Sequence, residues 1–335
     1  MNKLPLLLLV LFLGWVTGCK NGTETVEQPK VDTSKPVKVP AFNRDSAFAF
    51  VVQQVSFGPR VPDSDSHHNM QEWVVSVLKR YGATVHEQNF NSKTATIGDV
   101  RSTNIIASFN PTYAKRVVLA AHWDTRYAAD EDDHDKTKPI DGADDGGSGV
   151  AILLEIARLI QSNPIPMGVD LVLFDTEDQG ASNGQAESWC LGSQYWAKNP
   201  HVKGYRAEYG ILLDMVGAKG AAFLKEELSQ IFDPDRTNRI NYHYDKLWEL
   251  AGQMGHGDMF INQRGRAITD DHYFVNTYTD IPMIDIINRP VGSPKGFGAH
   301  WHTHDDNINV IDPKVLGSVG QVVTAYLYNS TRAPL

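Results

Sequence analysis

The chain has 335 residues, of which 41% are hydrophobic and 21% are charged, and its formal net charge is −9. This composition is typical of a globular protein built as one large α/β domain or two ordinary ones. The negative charge argues against a nucleic-acid-binding surface, which would need clustered lysine and arginine residues. The simplest effect of the acidity is to keep the protein soluble.

Residues 1–18 have the features of an export signal. Lys3 supplies a positive charge, and the apolar core at 6–13 is too short for a membrane span, which needs roughly 20 apolar residues. The run Val16-Thr17-Gly18-Cys19 resembles the lipobox of bacterial lipoproteins. That resemblance implies an exported protein whose Cys19 carries lipid, anchored to a bacterial membrane and facing the periplasm. A plain cleaved signal is the alternative.

Residues 19–43 show no hydrophobic periodicity and predict a flexible tether before a folded domain at 44–335. The chain contains two cysteines. If Cys19 carries lipid, Cys190 has no partner for an intramolecular disulfide. The domain must then be stabilised by its hydrophobic core.

Hydrophobic periodicity predicts alternating helices and strands along the domain. In chain order, it predicts helices over 46–57 and 70–81, strands over 84–90, 104–108 and 117–122, a helix over 149–160, a strand over 169–174, a short helix over 193–198, a strand over 211–214, a helix over 242–254, a strand over 282–287 and a closing helix over 313–328. This alternation predicts an α/β fold, a single domain with a twisted, mostly parallel central sheet and helices on both faces. The polar loop 124–146 and the stretch 219–239 have no clear pattern.

Several of the predicted strands end directly at residue types that bind metals. One strand ends at His122, with Asp124 two residues later, another is followed by Glu177 and Asp178, and a third ends at Asp214. In an open α/β sheet, ligands and catalytic groups collect beyond the carboxyl ends of the strands. The sequence therefore predicts one convergent site, of the kind found in zinc hydrolases.

Two of these motifs have a clear chemical rationale. Asp145 lies in the glycine-rich segment 142–149, where the start of a helix stabilises negative charge. The adjacent acids Glu177 and Asp178 repel each other, and burial raises a carboxyl pKa unless a cation is present. One acid of the pair can therefore bind metal while the other accepts protons.

Each motif on its own also has a simpler interpretation. His122 and Asp124 could form a structural hydrogen bond, the 142–149 segment could be an acidic helix cap, and the acid pair could lie in an exposed loop. Asp214 could be a turn residue, and the segment 301–307 could be a solvated loop.

Taken in order, the motifs resemble one family. H-x-D, G-A-x-D-x-x-S-G, an acid pair, L-L-D-M-V-G-A, D-D-H and W-H-T-x-D-D-N resemble the zinc aminopeptidase-like clan over roughly residues 44–330. The last three, with F-G-P-R-V-P at 57–62, resemble the glutaminyl-peptide cyclotransferases. This resemblance implies one zinc per chain and cyclisation of the N-terminal glutamine of peptides and proteins to pyroglutamate, with release of ammonia.

The resemblance also implies a role for each candidate residue. Glu177 matches the general acid/base, and Asp214 and Asp270 match carboxylates of the proton and hydrogen-bond network. The remaining matches are the metal ligands Asp145, Asp178 and His302, the pocket residue Trp301, and the supporting residues His122 and Asp124. The expected partners are peptides with N-terminal glutamine, with no nucleic acid and no membrane contact beyond the lipid, and the expected state is a monomer.

Two departures from the family pattern point to its bacterial branch. The acid pair is usually Glu-Glu, whereas the ligand here is the shorter Asp178, which is also a good zinc ligand. The loop 179–191 does not match the animal enzymes, so Trp189 is either a pocket residue or a packing residue.

Two other functions are weighed against the cyclase. A two-zinc aminopeptidase would use five ligands, and all five are present: His122, Asp145, Asp178, Asp214 and His302. The Trp301-His302 pair and the segments 215–218 and 270–272 favour the cyclase. A non-catalytic binding relative should show a broken ligand set, which this chain does not.

Overall fold

The computed structural model describes residues 38–228 and 230–331. The export signal, Cys19 and the tether up to residue 37 lie outside the described residues. The chain already packs where the predicted tether ends, since Phe42 donates its backbone N–H to the Gln321 side chain over 2.8 Å. Within the described residues, no helix combines the length and the apolar character needed to cross a membrane.

The strands form one large and one small sheet. In chain order they are β1 (Thr84–Lys93), β2 (Asp99–Phe109), β3 (Arg116–His122), β4 (Gly168–Phe174), β5 (Gly210–Asp214), β6 (Phe223–Glu227), β7 (Phe260–Arg266) and β8 (Met283–Ile287). The large sheet has the order β1-β2-β4-β3-β5-β8, and β6 pairs with β7. Strands β4, β3, β5 and β8 run parallel, while β1 and β2 are antiparallel at one edge. The predicted mostly parallel sheet is confirmed.

The helices cover both faces of the large sheet. They are α1 (Arg44–Val55), α2 (Asp65–Arg80), α3 (Gly147–Ser162), α4 (Leu191–Lys198), α5 (Pro234–Gln253), α6 (Asp271–Tyr278) and α7 (Pro313–Asn329). Alternate residues of β3 face two different cores, because successive side chains on a strand point to opposite faces. Leu119 packs in the core that contains α1, α2, α3, α5 and α7, and Val118 packs with Trp196 and Val275 of α4 and α6.

Several elements differ from the sequence prediction. Helix α5 begins eight residues before the predicted start at 242, because Asp233 caps it and Pro234 occupies the first turn. Strand β7 was not predicted because most of its residues are exposed and polar, so it lacks an apolar run. Helix α6 was not predicted because its aromatic and β-branched residues, among them Tyr273, Phe274 and Val275, are more typical of a strand. Asp270 caps the N-terminus of α6.

His243 provides a test of the packing between α5 and α7. Its Nδ1 atom lies 2.8 Å from the Tyr326 hydroxyl, and burial lowers its pKa from 6.5 to about 4. Since the unfolded chain takes up this proton more readily, the folded state should lose stability as the pH falls from 6.5 towards 4. The loss from this residue should be about 3 kcal/mol at most.

We expect His243→Gln, which cannot be protonated, to remove this component of the pH dependence. The measurement is the free energy of urea unfolding at pH 7, 5 and 4, with the exposed His68→Gln as the matched control. Equal pH dependence in the wild type and in His243→Gln would contradict the prediction.

Candidate active site

The carboxyl ends of the parallel strands bring the predicted site residues together. In the sheet register, His122 at the end of β3 pairs with Phe174 at the end of β4, and Asp214 at the end of β5 pairs with Ile287. Glu177 and Asp178 follow β4 after two residues. The segment 300–306, after β8, returns over the same end of the sheet and adds His302.

Asp145, Asp178 and His302 form a compact trio. One ligand atom from each lies within 4.8 Å of the others, and all three side chains are buried. The His302 Nε2 atom is 3.0 Å from Asp178 Oδ1 and 3.9 Å from Asp145 Oδ2. Asp145 Oδ2 and Asp178 Oδ2 have no hydrogen-bond partner among the described residues.

The chemistry of this trio fits a zinc ion. Imidazole nitrogen and carboxylate oxygen are zinc ligands, and three protein ligands leave a position open for a reacting group. Burial raises the pKa of Asp178, and the charge of Asp145 adds to that rise. A divalent cation would balance these charges and satisfy the two unpaired oxygens.

His122 links this trio to Asp214. Its Nε2 atom is 2.9 Å from Asp145 Oδ1 and 3.2 Å from Asp214 Oδ1. Burial alone would lower the pKa of His122, but the nearby carboxylates of Asp124, Asp145 and Asp214 raise it well above its usual value. The imidazole therefore bridges the two carboxylates directly, and these three residues form a second group in which a metal could bind.

Asp124 belongs neither to the trio nor to the second group around His122, but it holds the acid pair Glu177 and Asp178 in place. One of its oxygens accepts the backbone N–H of Glu177 over 3.0 Å, and the other accepts that of Asp178 over 3.2 Å. The side chain of Gln179 donates to the same carboxylate over 3.1 Å. Asp124 thus fixes the turn that presents the two acids.

The loop 124–146 supports the trio through residues that the sequence did not single out. Asp130 Oδ1 lies 3.0 Å from His302 Nδ1, and Arg126 binds the Asp130 carboxylate over 2.6 Å. Arg126 also donates to the backbone oxygen of Asp178 over 2.8 Å. A carboxylate behind a ligating histidine fixes the orientation of its ring. The unusual length of this loop was the only signal of its function.

Backbone contacts join this loop to the segment 300–306. Glu131 donates its N–H to the His302 oxygen over 3.1 Å, and His304 donates its N–H to Asp132 over 2.9 Å. Further along, Asp144 donates its N–H to the Asp306 carboxylate over 2.7 Å. The two segments therefore hold the ligands Asp145 and His302 as one unit.

Glu177 lies at the edge of the trio and lines the adjoining cavity. Burial, followed by the charges of Asp178, Asp270 and Asp271, raises its pKa well above its usual value, more than His122 lowers it. Its Oε1 atom accepts a hydrogen bond from the Cys190 thiol over 3.2 Å. A raised pKa makes the carboxylate a stronger base, so Glu177 is suited to accept a proton from the substrate.

Asp214 and Asp270 line the same cavity as Asp145, Glu177 and Asp178, and we call these five carboxylates the acidic floor. Burial raises the pKa of Asp214 to about 8, and the charge of Asp270 adds to that rise. Burial also raises the pKa of Asp270, one oxygen of which accepts the Asp271 N–H while the other has no partner among the described residues. Two acids that the sequence analysis missed lie behind Asp270. Glu226 is 2.6 Å and Asp285 3.7 Å from opposite nitrogens of His272.

Four of the six non-glycine residues with positive φ in the described chain surround the site: Thr176 (56°), Cys190 (56°), Met215 (48°) and His302 (56°). Each of these conformations costs of order 1–3 kcal/mol. Thr176 and Met215 lie just beyond the ends of β4 and β5, Cys190 precedes α4, and His302 is itself one of the trio. The rest of the fold must supply the energy that keeps them there.

A cavity of about 840 Å³ opens above the acidic floor. The Trp301 ring stacks on His302, with centroids 3.9 Å apart. Trp189, whose role the sequence left open, also lines the cavity, and its ring packs against the Arg126 guanidinium at 4.7 Å. Trp189 is thus both a cavity wall and a packing residue.

Comparisons with known proteins agree with this arrangement. Residues 104–327 match peptidase family M28. A glutaminyl-peptide cyclotransferase of Drosophila melanogaster is 26% identical over 285 residues, covering 80% of this chain and 76% of that protein.

Two solved bacterial structures are more similar. Porphyromonas gingivalis glutaminyl cyclase is 48% identical, with a TM-score of 0.81, over 86% of this chain and 99% of that one. A Zn-dependent exopeptidase from Parabacteroides distasonis is 46% identical, with a TM-score of 0.82, over 87% and 100%. The family resemblance predicted from the motifs is confirmed: the chain belongs to peptidase family M28 and groups with its bacterial glutaminyl cyclases.

Proposed function

We propose that this protein is a zinc-dependent glutaminyl-peptide cyclotransferase. It converts the N-terminal glutamine of peptides and proteins to pyroglutamate and releases ammonia. The observation that carries the proposal is the position of Glu177, an acid with a raised pKa, beside the trio Asp145, Asp178 and His302 on the floor of one cavity.

Asp145, Asp178 and His302 would hold a single zinc ion. When bound there, zinc supplies Lewis-acid polarisation of the carbonyl of the substrate's γ-carboxamide. The family and its solved relatives indicate zinc, and the count of one per chain is our proposal. Asp130 and Arg126 keep His302 and Asp178 oriented towards that position.

Glu177 moves the proton. The substrate's α-amine attacks its own side-chain carbonyl carbon, forming the ring C–N bond, and Glu177 takes the proton that the amine loses. The same proton passes to the departing amide nitrogen as its C–N bond breaks, so that ammonia leaves. Because both groups belong to one molecule, holding them in reacting geometry contributes several kcal/mol.

The remaining cavity residues orient the substrate. Asp214 and Asp270 accept hydrogen bonds from the α-amine and from the leaving amide. Trp301 and Trp189 pack against the aliphatic part of the glutamine and exclude water. An N-terminal glutamate is a poor substrate because its carboxylate is repelled by this acidic floor.

The two-zinc aminopeptidase is the second candidate function, because His122, Asp145 and Asp214 form a group that shares Asp145 with the trio. In the structure, however, His122 Nε2 contacts both carboxylates directly, at 2.9 and 3.2 Å. The Asp145 and Asp214 oxygens that face His122 are therefore both in contact with it, whereas the trio retains two buried oxygens without a partner among the described residues, Asp145 Oδ2 and Asp178 Oδ2. A non-catalytic relative is disfavoured because the trio and Glu177 are intact.

We also propose that the protein is exported and works as a monomer, anchored through lipid on Cys19 at the periplasmic side of a membrane. The support is the run Val16-Thr17-Gly18-Cys19 at the end of an apolar segment. We expect mass spectrometry of the native N-terminus to find an acylated Cys19, and light scattering of the domain to give one chain. A mature N-terminus at another residue, without lipid, would contradict the anchor and indicate a simple secreted protein.

The metal stoichiometry separates the two candidate functions. We expect about one zinc per chain in the active wild type, and loss of both zinc and cyclase activity in His302→Gln, because three ligands suffice for a catalytic site. His304→Gln is the matched control, since this half-exposed histidine pairs with Asp132 outside the trio. The measurements are elemental analysis and ammonia release from a peptide that begins with glutamine.

His122→Gln should retain its zinc if His122 only supports the site. Two zinc ions needed for turnover, together with amine release from a leucine anilide, would establish the aminopeptidase instead. Full cyclase activity in a metal-free preparation would contradict the proposed role of zinc.

Replacement of Glu177 tests the proton transfer. We expect Glu177→Gln to keep zinc and to lower kcat by about 10²–10⁴-fold, the usual contribution of a general acid or base. Glu187→Gln, the same change at an exposed position of the neighbouring loop, should leave kcat unchanged. A wild-type rate in Glu177→Gln would mean that another carboxylate, with Asp270 the nearest candidate, moves the proton.

A further inference from the structure

One arginine lies on the wall of the acidic cavity. Arg266, the last residue of β7, lines this cavity and is the only lysine or arginine among the described residues that line it. Its guanidinium has no salt bridge and no hydrogen bond within residues 38–228 and 230–331. The wall around it is uncharged, with Gln230, Ile231, Ala267, Ile268 and Thr269. Its register partner on β6 is the exposed acid Glu227. Arg266 is therefore an exposed cation next to an expected peptide-binding site.

Buried and neighbouring side chains fix the backbone around Arg266. The buried Glu226 carboxylate accepts the Ile268 N–H over 2.9 Å, and its other oxygen binds His272. The Arg289 guanidinium donates to the backbone oxygen of Arg266. Asp270, which caps α6, fixes the far end of the same segment. The position from which the Arg266 side chain extends is thus set before any peptide binds.

The distance from Arg266 to the acidic floor matches a short stretch of peptide. Arg266 and Asp270 are four positions apart in the chain, so their Cα atoms lie at most about 14 Å apart. An extended peptide advances about 3.3–3.6 Å per residue. If the N-terminal glutamine occupies the floor, the second to fourth residues can reach the wall at Arg266.

We propose that Arg266 forms a subsite for a carboxylate downstream of the N-terminal glutamine. The carboxylate is an acidic side chain at the second to fourth position, or the free C-terminus of an equally short peptide. An arginine binds such a group through two parallel N–H donors. This inference rests on the proposed function, because it takes the cyclised glutamine as the fixed end of the peptide.

The test compares peptides that differ in one charge. The peptides are C-terminally amidated tetrapeptides that begin with glutamine. One of the other three positions, the second, third or fourth, is Glu or Lys, and the remaining two are alanine. We expect kcat/KM for Glu over Lys to be about three- to tenfold at one position, as exposed ion pairs allow, and to fall towards one at high salt. Free-acid and amidated peptides without Glu show whether the C-terminal carboxylate binds as well.

Two variants of Arg266 and one control complete the experiment. Arg266→Gln should bring the Glu-over-Lys ratio close to one, and Arg266→Glu should reverse it. Lys246→Glu makes the same change in net charge on an exposed residue of α5 outside the cavity, and should leave the wild-type ratio intact.

The outcomes separate the subsite from the proposed function. Ammonia release from all peptides with equal kcat/KM, or the same ratio in the wild type and in Arg266→Glu, would overturn the subsite alone. No ammonia from any glutamine peptide would overturn the proposed function and the subsite with it.

Discussion

The crowding of negative charge at one end of the sheet is the constraint on which the site depends. Five carboxylates line one cavity, namely those of Asp145, Glu177, Asp178, Asp214 and Asp270. Burial raises the pKa of most of them, which means that the fold holds them together at a cost. The nearby cations each reduce part of this cost: His122 bridges two of the acids, and Arg126 anchors the turn of a third. Bound zinc would add the largest share.

The parallel sheet makes this crowding feasible. Its strands are buried on both faces, so the apolar core forms without the polar residues that follow each strand. Residues with positive φ then turn the chain beside two of the acids: Thr176 precedes Glu177, and Met215 follows Asp214, the last residue of β5. Along β4 and β5, the apolar residues that stabilise the core are thus followed almost at once by the acids of the site.

The sequence predicted the parts of the site that follow a regular pattern. Asp178 and Asp214 each come after a continuous apolar run, and strands of that kind have a predictable end where ligands gather. The sequence could not predict Arg126 and Asp130, because loop residues have no periodicity and their contacts depend on how the loop folds back. Asp285 was missed for the opposite reason. It lies inside an apolar strand, and only the neighbouring helix α6 reveals that its carboxylate faces His272. Trp189 could not be assigned because its two contacts come from different segments.

The connection between the loop 124–146 and the segment 300–306 has a consequence for how the protein matures. Its hydrogen bonds join residues more than 150 positions apart, so they form late and only after most of the chain is available. His302 reaches Asp145 and Asp178 only through this docking. During synthesis, a chain that has not yet emerged as far as residue 306 has no complete ligand trio. Metal uptake would therefore follow folding of the whole domain. If the protein is exported, as we propose, and crosses the membrane unfolded, it would acquire its zinc at its destination rather than carry it there.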